Sequence, residues 1–244
     1  MNAPRSDSRG GPRWTDLHSN DEAWRKKLIG DISELFVIPR YVAFLQSKFG
    51  SERGLTFLEL GSGTGDISRA VMASNQGQIG RYVLSEHYAE GVQALREKGF
   101  ECELLDACAI DVADQAFDIV ISWDVMHHVP EPRNMAAEMM RVARGRLMLV
   151  ESNGLSVFRK IKELTPSYKA AGETSHTPRG WRSFFHGHSR YRIKTFEIFP
   201  ILFPFKVPQP LLPALVRFNH WIEAVPIFRW QCSSVAIYVE YERT

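Results

Sequence analysis

The segment Glu59-Leu60-Gly61-Ser62-Gly63-Thr64-Gly65 places glycines at alternate positions behind an acid, after the apolar run Leu55-Thr56-Phe57-Leu58 and ahead of Asp66-Ile67-Ser68-Arg69. That order reads as a strand, a tight loop and a helix start. Glycine adopts left-handed backbone angles at no steric cost and carries no side chain to hold a ligand off the main chain. Something flat or anionic can therefore lie against the loop. A nicotinamide or flavin fingerprint would be Gly-x-Gly-x-x-Gly, with a helix N-terminus aimed at a pyrophosphate. Here the spacing is acid-x-Gly-x-Gly-x-Gly, which makes no such provision.

Further along, Arg81-Tyr82-Val83-Leu84-Ser85-Glu86 and Cys102-Glu103-Leu104-Leu105-Asp106-Ala107 are short apolar runs that each reach a carboxylate. An ionised carboxylate accepts on two oxygens, so it can take paired hydroxyls or an amino group. Phe117-Asp118-Ile119-Val120-Ile121-Ser122-Trp123 then leads into Asp124-Val125-Met126-His127-His128-Val129, and Arg146-Leu147-Met148-Leu149-Val150-Glu151 follows. Taken together, residues 55–155 resemble the class I (Rossmann-like) S-adenosylmethionine-dependent methyltransferases, in particular the type 11 kind found in quinone and small-lipid biosynthesis. The glycine loop, the Phe-Asp-Ile-Val opening and the His-His-Val ending carry the resemblance.

That resemblance implies an α/β fold: a seven-stranded, mostly parallel sheet with its last strand antiparallel, helices on both faces, a helical cap and an apolar helical insertion between the last two strands. The implied cofactor is S-adenosyl-L-methionine, leaving as S-adenosyl-L-homocysteine. Its binding residues would be Glu59, Gly61, Ser62, Gly63 and Gly65 at the methionine half, Glu86 with His87 at the ribose, and Asp106 with Ala107 at the adenine. Ser122 and Trp123 would close the cleft at the end of the fourth strand. His176 falls where related enzymes carry a histidine before the cap's last helix.

The sulfonium is already activated, so methyl transfer is an in-line displacement dominated by positioning, and a base is needed only where the acceptor must lose a proton. Imidazoles titrate near neutral pH, which makes His128, His176 and His127 the expected catalytic residues, with His186 and His188 as further histidines of the cap. Asp124, Glu151 and Asn153 are loosely similar to the magnesium triad of catechol O-methyltransferases, but residues and spacing differ, and His186-Gly187-His188 lacks companion ligands, so no metal is expected. The expected reaction is methyl transfer to a small-molecule acceptor that is apolar, lipid-linked or anionic. A non-catalytic or aminopropyl-transferring protein of the same fold stands as the alternative, together with a nucleic-acid or protein methyltransferase. Amino-methylating DNA enzymes carry Asn/Asp-Pro-Pro-aromatic where this chain reads Ser122-Trp123-Asp124-Val125, and a formal net charge of +2 leaves no basic footprint for nucleic acid.

At 244 residues, 44% hydrophobic and 24% charged, the chain has apolar material for one full domain. The expected organisation is a disordered arm over 1–20 and a single domain over 21–244: N-terminal helices to 54, the cofactor core over 55–155, a cap over 156–191, and the last strands over 192–244 with a helix at 211–225. Trp24, Leu28, Ile32, Leu35 and Phe36 fall near one face of a first helix that Pro39 breaks, and Tyr41 to Leu45 begin a second. Trp24 and Tyr41 could touch the edge of the site. Three cysteines in no metal-ligand spacing, and a polar start with no leader, point to a cytoplasmic protein. From Ser156 onward, 13 Lys and Arg stand against 6 Asp and Glu. The insertion is apolar and aromatic, but Pro213, Arg217, Asn219, His220 and Glu223 interrupt any run of the ~20 apolar residues a membrane span needs. Packing on the core and a peripheral membrane or lipid contact through 199–230 both remain open from the pattern.

Overall fold

The computed structural model describes residues 37–49, 51–170, 173, 175–185, 191–199 and 209–241. The expected arm, the first N-terminal helix with Trp24, and His186 and His188 lie outside these residues. Helix α1 (Ile38–Phe49) leads into β1 (Leu55–Leu60), α2 (Asp66–Ser74), β2 (Ile79–Glu86), α3 (Ala89–Glu97), β3 (Cys102–Leu104) and β4 (Phe117–Trp123). A 3-10 turn (Met126–His128) connects β4 to α4 (Pro132–Val142) and β5 (Ala143–Ser152). Three short helices follow, α5 (Val157–Glu163), α6 (Pro166–Ala170) and α7 (Pro178–Ser183), then β6 (Tyr191–Phe199), α8 (Leu212–Ala224), α9 (Pro226–Arg229) and β7 (Ser234–Tyr241). Pro39 does not break a helix among these residues but sits in the first turn of α1, where its missing N–H has no intrahelical partner to lose.

The strands form a sheet of seven in the order β3-β2-β1-β4-β5-β7-β6. Strands β1 to β5 pair in parallel, and β7 runs antiparallel to both β5 and β6. Strand side chains alternate between faces, and β1 shows why its sequence is apolar nearly throughout. Phe57 enters the core beneath α1 to α3 with Tyr41, Phe44, Leu45, Leu84 and Ile121. Leu58 and Leu60 enter the opposite core with Val120, Leu149, Met135, Met139 and Trp181. Both faces are covered, as a parallel sheet requires. The chain order reverses direction across the sheet between β1 and β4, and ligands of such sheets bind beyond the carboxyl ends of the strands at that point.

The glycines of the loop serve different ends. Gly61, Gly63 and Gly65 all have positive φ, of 66°, 56° and 80°. A Cβ on Gly65 would meet Phe100 Cε2 at 2.7 Å and Leu95 Cδ2 at 2.9 Å, and one on Gly61 would meet Val125 Cγ2 at 2.7 Å, whereas one on Gly63 would meet nothing within 4 Å. Among the described residues, only Gly63 of the three borders open space; the other two let neighbouring elements close in. Replacing Gly65 by Ala adds left-handed strain to overpacking and is expected to cost about 2–4 kcal/mol, against about 1 kcal/mol for Gly63→Ala, which adds strain alone. Urea unfolding of the two variants measures the difference, and equal losses would contradict this division of roles.

Candidate functional site

The loop Gly61–Gly65 is closed by its own backbone. Ser62 N donates to Ser85 O at 3.0 Å, and Gly65 N to Ser62 O at 3.0 Å, which brings the end of β1 against the end of β2. Glu59 anchors this arrangement from within. Its position in β1 turns it to the α1 to α3 face, where it is 1% exposed. Tyr82 Oη donates to one of its oxygens at 2.5 Å and Ser68 Oγ to the other at 2.9 Å. Burial outweighs these donors and pushes the Glu59 carboxyl up to about 7. Its side chain thus holds the strand, the loop and α2 together from below.

Glu86 ends β2 beside the loop and accepts from Gly63 N–H. Burial raises its carboxyl above the usual range, opposed by the backbone N–H groups of Gly63 and His87. His87 is exposed and packs edge-on against Tyr88. Leu105 N donates to Glu86 O at 3.0 Å, so the chain leaving β3 runs beside Glu86. Asp106 lies beyond that strand in an exposed turn, where its Oδ1 accepts from Cys108 N at 2.8 Å, and Ala107 packs on the core under α4. Ser122 and Trp123 close β4: both are buried, and Ser122 Oγ has no hydrogen-bond partner among the described residues. Tyr41 stacks on Trp123 at 4.9 Å between ring centroids.

Beyond β4 the chain turns sharply. Asp124 takes a φ of 56°, unusual for a residue with a side chain, and Tyr41 Oη donates to its Oδ2 at 2.8 Å. Burial raises the Asp124 carboxyl. Glu151, fully buried at the end of β5, receives the turn: Val125 N and Met126 N donate to its Oε1 at 3.2 and 2.6 Å, and His127 Nδ1 lies 2.8 Å from its Oε2. His127 is buried, and its ring lies 4.0 Å from that of His128, which is partly exposed. Glu173 of the cap comes within 3.8 Å of His127 Nε2. Arg159, on α5, bonds Glu173 at 3.0 Å.

His176 sits just past the end of β5, where its carbonyl accepts from Gly154 N at 2.9 Å. It precedes Thr177, the N-cap of α7, and packs edge-on against Trp181 and Phe184. Burial and the nearby Arg133 cation both hold its imidazole below the usual range, so it is neutral at neutral pH. Asn153 serves the structure, donating to the carbonyls of Trp230 and Cys232 at 3.0 and 2.7 Å. Glu173 and Arg159 escape sequence reading because neither lies in a motif; only the cap's path over the turn brings them in.

Among the described residues, a parallel sheet with its direction reversal at β1 and β4, a left-handed glycine loop open at Gly63, and a buried Ser122 hydroxyl without a hydrogen-bond partner together fit a nucleoside-bearing cofactor laid across the strand ends. Residues 58–149 match a family model described as a methyltransferase domain. An uncharacterized methyltransferase of Mycobacterium ulcerans is 33% identical over 102 residues, covering 41% of this chain and 40% of that protein. The phosphatidylethanolamine N-methyltransferase of Cereibacter sphaeroides is 32% identical over 104 residues, covering 40% of this chain and 51% of that protein. The chain thus spans about two fifths to one half of the length of these relatives. A solved S-adenosylmethionine-dependent methyltransferase from Archaeoglobus fulgidus superposes with a TM-score of 0.61 at 14% identity, over 90% of this chain and 98% of that one. The fold is that of the class I, Rossmann-like S-adenosylmethionine-dependent methyltransferases.

Glu59 gives this site a pH signature. A carboxyl whose folded-state value exceeds that of the unfolded chain contributes its full stability in acid and loses it as pH rises towards 7. Glu59→Gln keeps an acceptor for Tyr82 and removes the titration. Its stability relative to the parent is therefore expected to improve by about 2–3 kcal/mol between pH 5 and pH 8. Urea denaturation at the two pH values checks this, and a difference that does not change with pH would contradict it.

Proposed function

We propose that this chain is an S-adenosylmethionine-dependent methyltransferase that transfers a methyl group to a small-molecule acceptor with an apolar or lipid-linked body and an anionic portion. The observation that carries the cofactor half is the open backbone at Gly63 set beside the Glu86 carboxylate at the reversal point of the sheet. In this reading the backbone of Gly61, Ser62, Gly63 and Gly65 borders the methionine portion, with Glu59 supporting the loop. Glu86 and His87 face the ribose, Asp106 and Ala107 the adenine, and Ser122 and Trp123 the floor. Glu86 exchanges its bond to Gly63 N–H for the ribose hydroxyls. When bound, the cofactor supplies a methyl already activated on sulfonium, so the protein's work is alignment and the exclusion of water.

Where the acceptor must lose a proton, His128 is the base we assign, because it is the more exposed member of the pair at the cleft mouth. His127 is oriented by Glu151 and contributes position. His176 is held neutral and so is competent to accept a proton from an acceptor that reaches under the cap. The acceptor's apolar character is supported by the exposed faces of the cap and the insertion: Val157, Ile161, Leu164, Trp221, Ile227 and Trp230 are between 49% and 75% exposed. It is also supported by the name of the Cereibacter relative, an enzyme of phospholipid methylation. The 13 basic against 6 acidic residues after position 155 favour an anionic portion or an anionic lipid surface. No helix among the described residues is long and apolar enough to cross a membrane, so contact with lipid would be peripheral.

Isothermal titration with S-adenosylhomocysteine is expected to show one site. Glu86→Ala should weaken it about 30- to 100-fold, the loss of two hydrogen bonds to a carboxylate. Labelled cofactor should then transfer its methyl into the organic-extractable fraction of a lipid panel. Absence of binding, or affinity unchanged in Glu86→Ala, would contradict the cofactor assignment. Binding without turnover on any acceptor would favour the non-catalytic alternative.

A further inference from the structure

The turn after β4 and the chain that follows α6 meet at a cluster that cofactor binding does not require. His127, His128 and Glu173 each offer one ligand atom, and these atoms all lie within 4.8 Å of one another. His127 Nε2 and Glu173 Oε2 are 3.8 Å apart. For metal–ligand bonds of about 2.1 Å, ligands at tetrahedral angles sit about 3.4 Å from one another. Closing the present spacing on an ion thus takes side-chain rotations of about an ångström. We infer that His127, His128 and Glu173 form a binding site for one divalent transition-metal ion of the zinc class, joining the turn after β4 to the cap.

Three further observations support a built site rather than a chance encounter of side chains. First, His127 is oriented from behind: its Nδ1 is 2.8 Å from the fully buried Glu151, which also takes Val125 N–H and Met126 N–H. A carboxylate on one ring nitrogen fixes the tautomer and makes the other nitrogen, here Nε2, the basic one, which is how metal-ligating histidines are prepared. Second, the charge is unbalanced. Among the described residues, Glu151 and Glu173 lie against the two ring nitrogens of His127, with Arg159 bonded to Glu173, and an added divalent charge is favoured between such carboxylates. Arg159 also bonds Tyr168 at 3.3 Å, which fixes it on the cap side, and its bond to Glu173 keeps that carboxylate aimed at the histidines. Third, both donor ends are sheltered, with side-chain exposures of 5% for His127 and 3% for Glu173.

The donor set chooses the metal. Two imidazoles and one carboxylate suit zinc and its neighbours, whereas magnesium and calcium demand oxygen throughout. Three protein ligands leave a coordination position open, as in zinc sites that bind a water or a substrate oxygen. With the ion bound, His128 is a ligand and no longer the base; the open position would instead polarise an oxygen of the acceptor, a role that rests on the methyltransferase reading, whereas the metal site itself does not.

The test uses the whole 244-residue chain without a tag, stripped with chelator and titrated with Zn²⁺ in the absence of cofactor. One equivalent is expected to bind and to raise the melting temperature, while Mg²⁺ does neither. Glu173→Gln and His128→Gln should each weaken Zn²⁺ by about tenfold or more, with circular dichroism unchanged. Cys108→Ser, which removes a partly exposed thiol, should leave affinity as in the parent. Failure of the parent to take up a stoichiometric ion, or uptake of equal affinity in both ligand variants, would overturn the site. S-adenosylhomocysteine binding, measured separately on the same samples, reports on the methyltransferase reading independently.

Discussion

The left-handed backbone between β1 and α2 is the constraint on which this structure turns. Gly61, Gly63 and Gly65 hold φ values that side chains resist, and they do so within a loop of five residues. Two of them buy close approach, Gly61 to Val125 and Gly65 to Leu95 and Phe100, and these contacts draw the turn after β4, and α3 with the connection that follows it, towards the loop. A Cβ at Gly63 would meet no neighbour among the described residues. The ends of β2 and β4 flank the end of β1, because β1 pairs with both in parallel register.

Buried carboxylates hold the strand ends in place. Glu59 and Glu151 end β1 and β5, and each is at most 1% exposed. Both act inward: Glu59 on Tyr82 and Ser68, Glu151 on the turn that carries His127. A buried acceptor with good donors is costly to disturb, so these acids make the loops rigid without standing in the cleft. Asp124 and Tyr41 extend the same logic across to α1, where the Tyr41 ring covers Trp123. The histidine pair therefore rests on a frame fixed from three directions.

The parallel core was legible because each of its strands is an apolar run ended by a loop signal, and the glycine spacing located the loop within it. Other features were not legible. Asp106 lies outside β3, in a turn whose shape depends on its own bond to Cys108 N. The apolar pattern around α8 left core packing and lipid contact both open; the helix buries Leu212 and Asn219 and leaves Phe218 and Trp221 exposed. Arg40 of α1 pairs with Glu223 of this helix across 183 residues of sequence. The approach of Glu173 to His127 is likewise a product of chain path. Local periodicity carries no information about such pairings.

The most direct measurement is a crystal structure of the full chain with S-adenosylhomocysteine. Density is expected across the ends of β1 and β4, with the amino-acid portion against Gly63 and the Glu86 carboxylate within hydrogen-bonding distance of both ribose hydroxyls. A vacant cleft at saturating ligand, or a nucleoside bound away from Glu86, would contradict the placement of the cofactor and with it the methyltransferase reading.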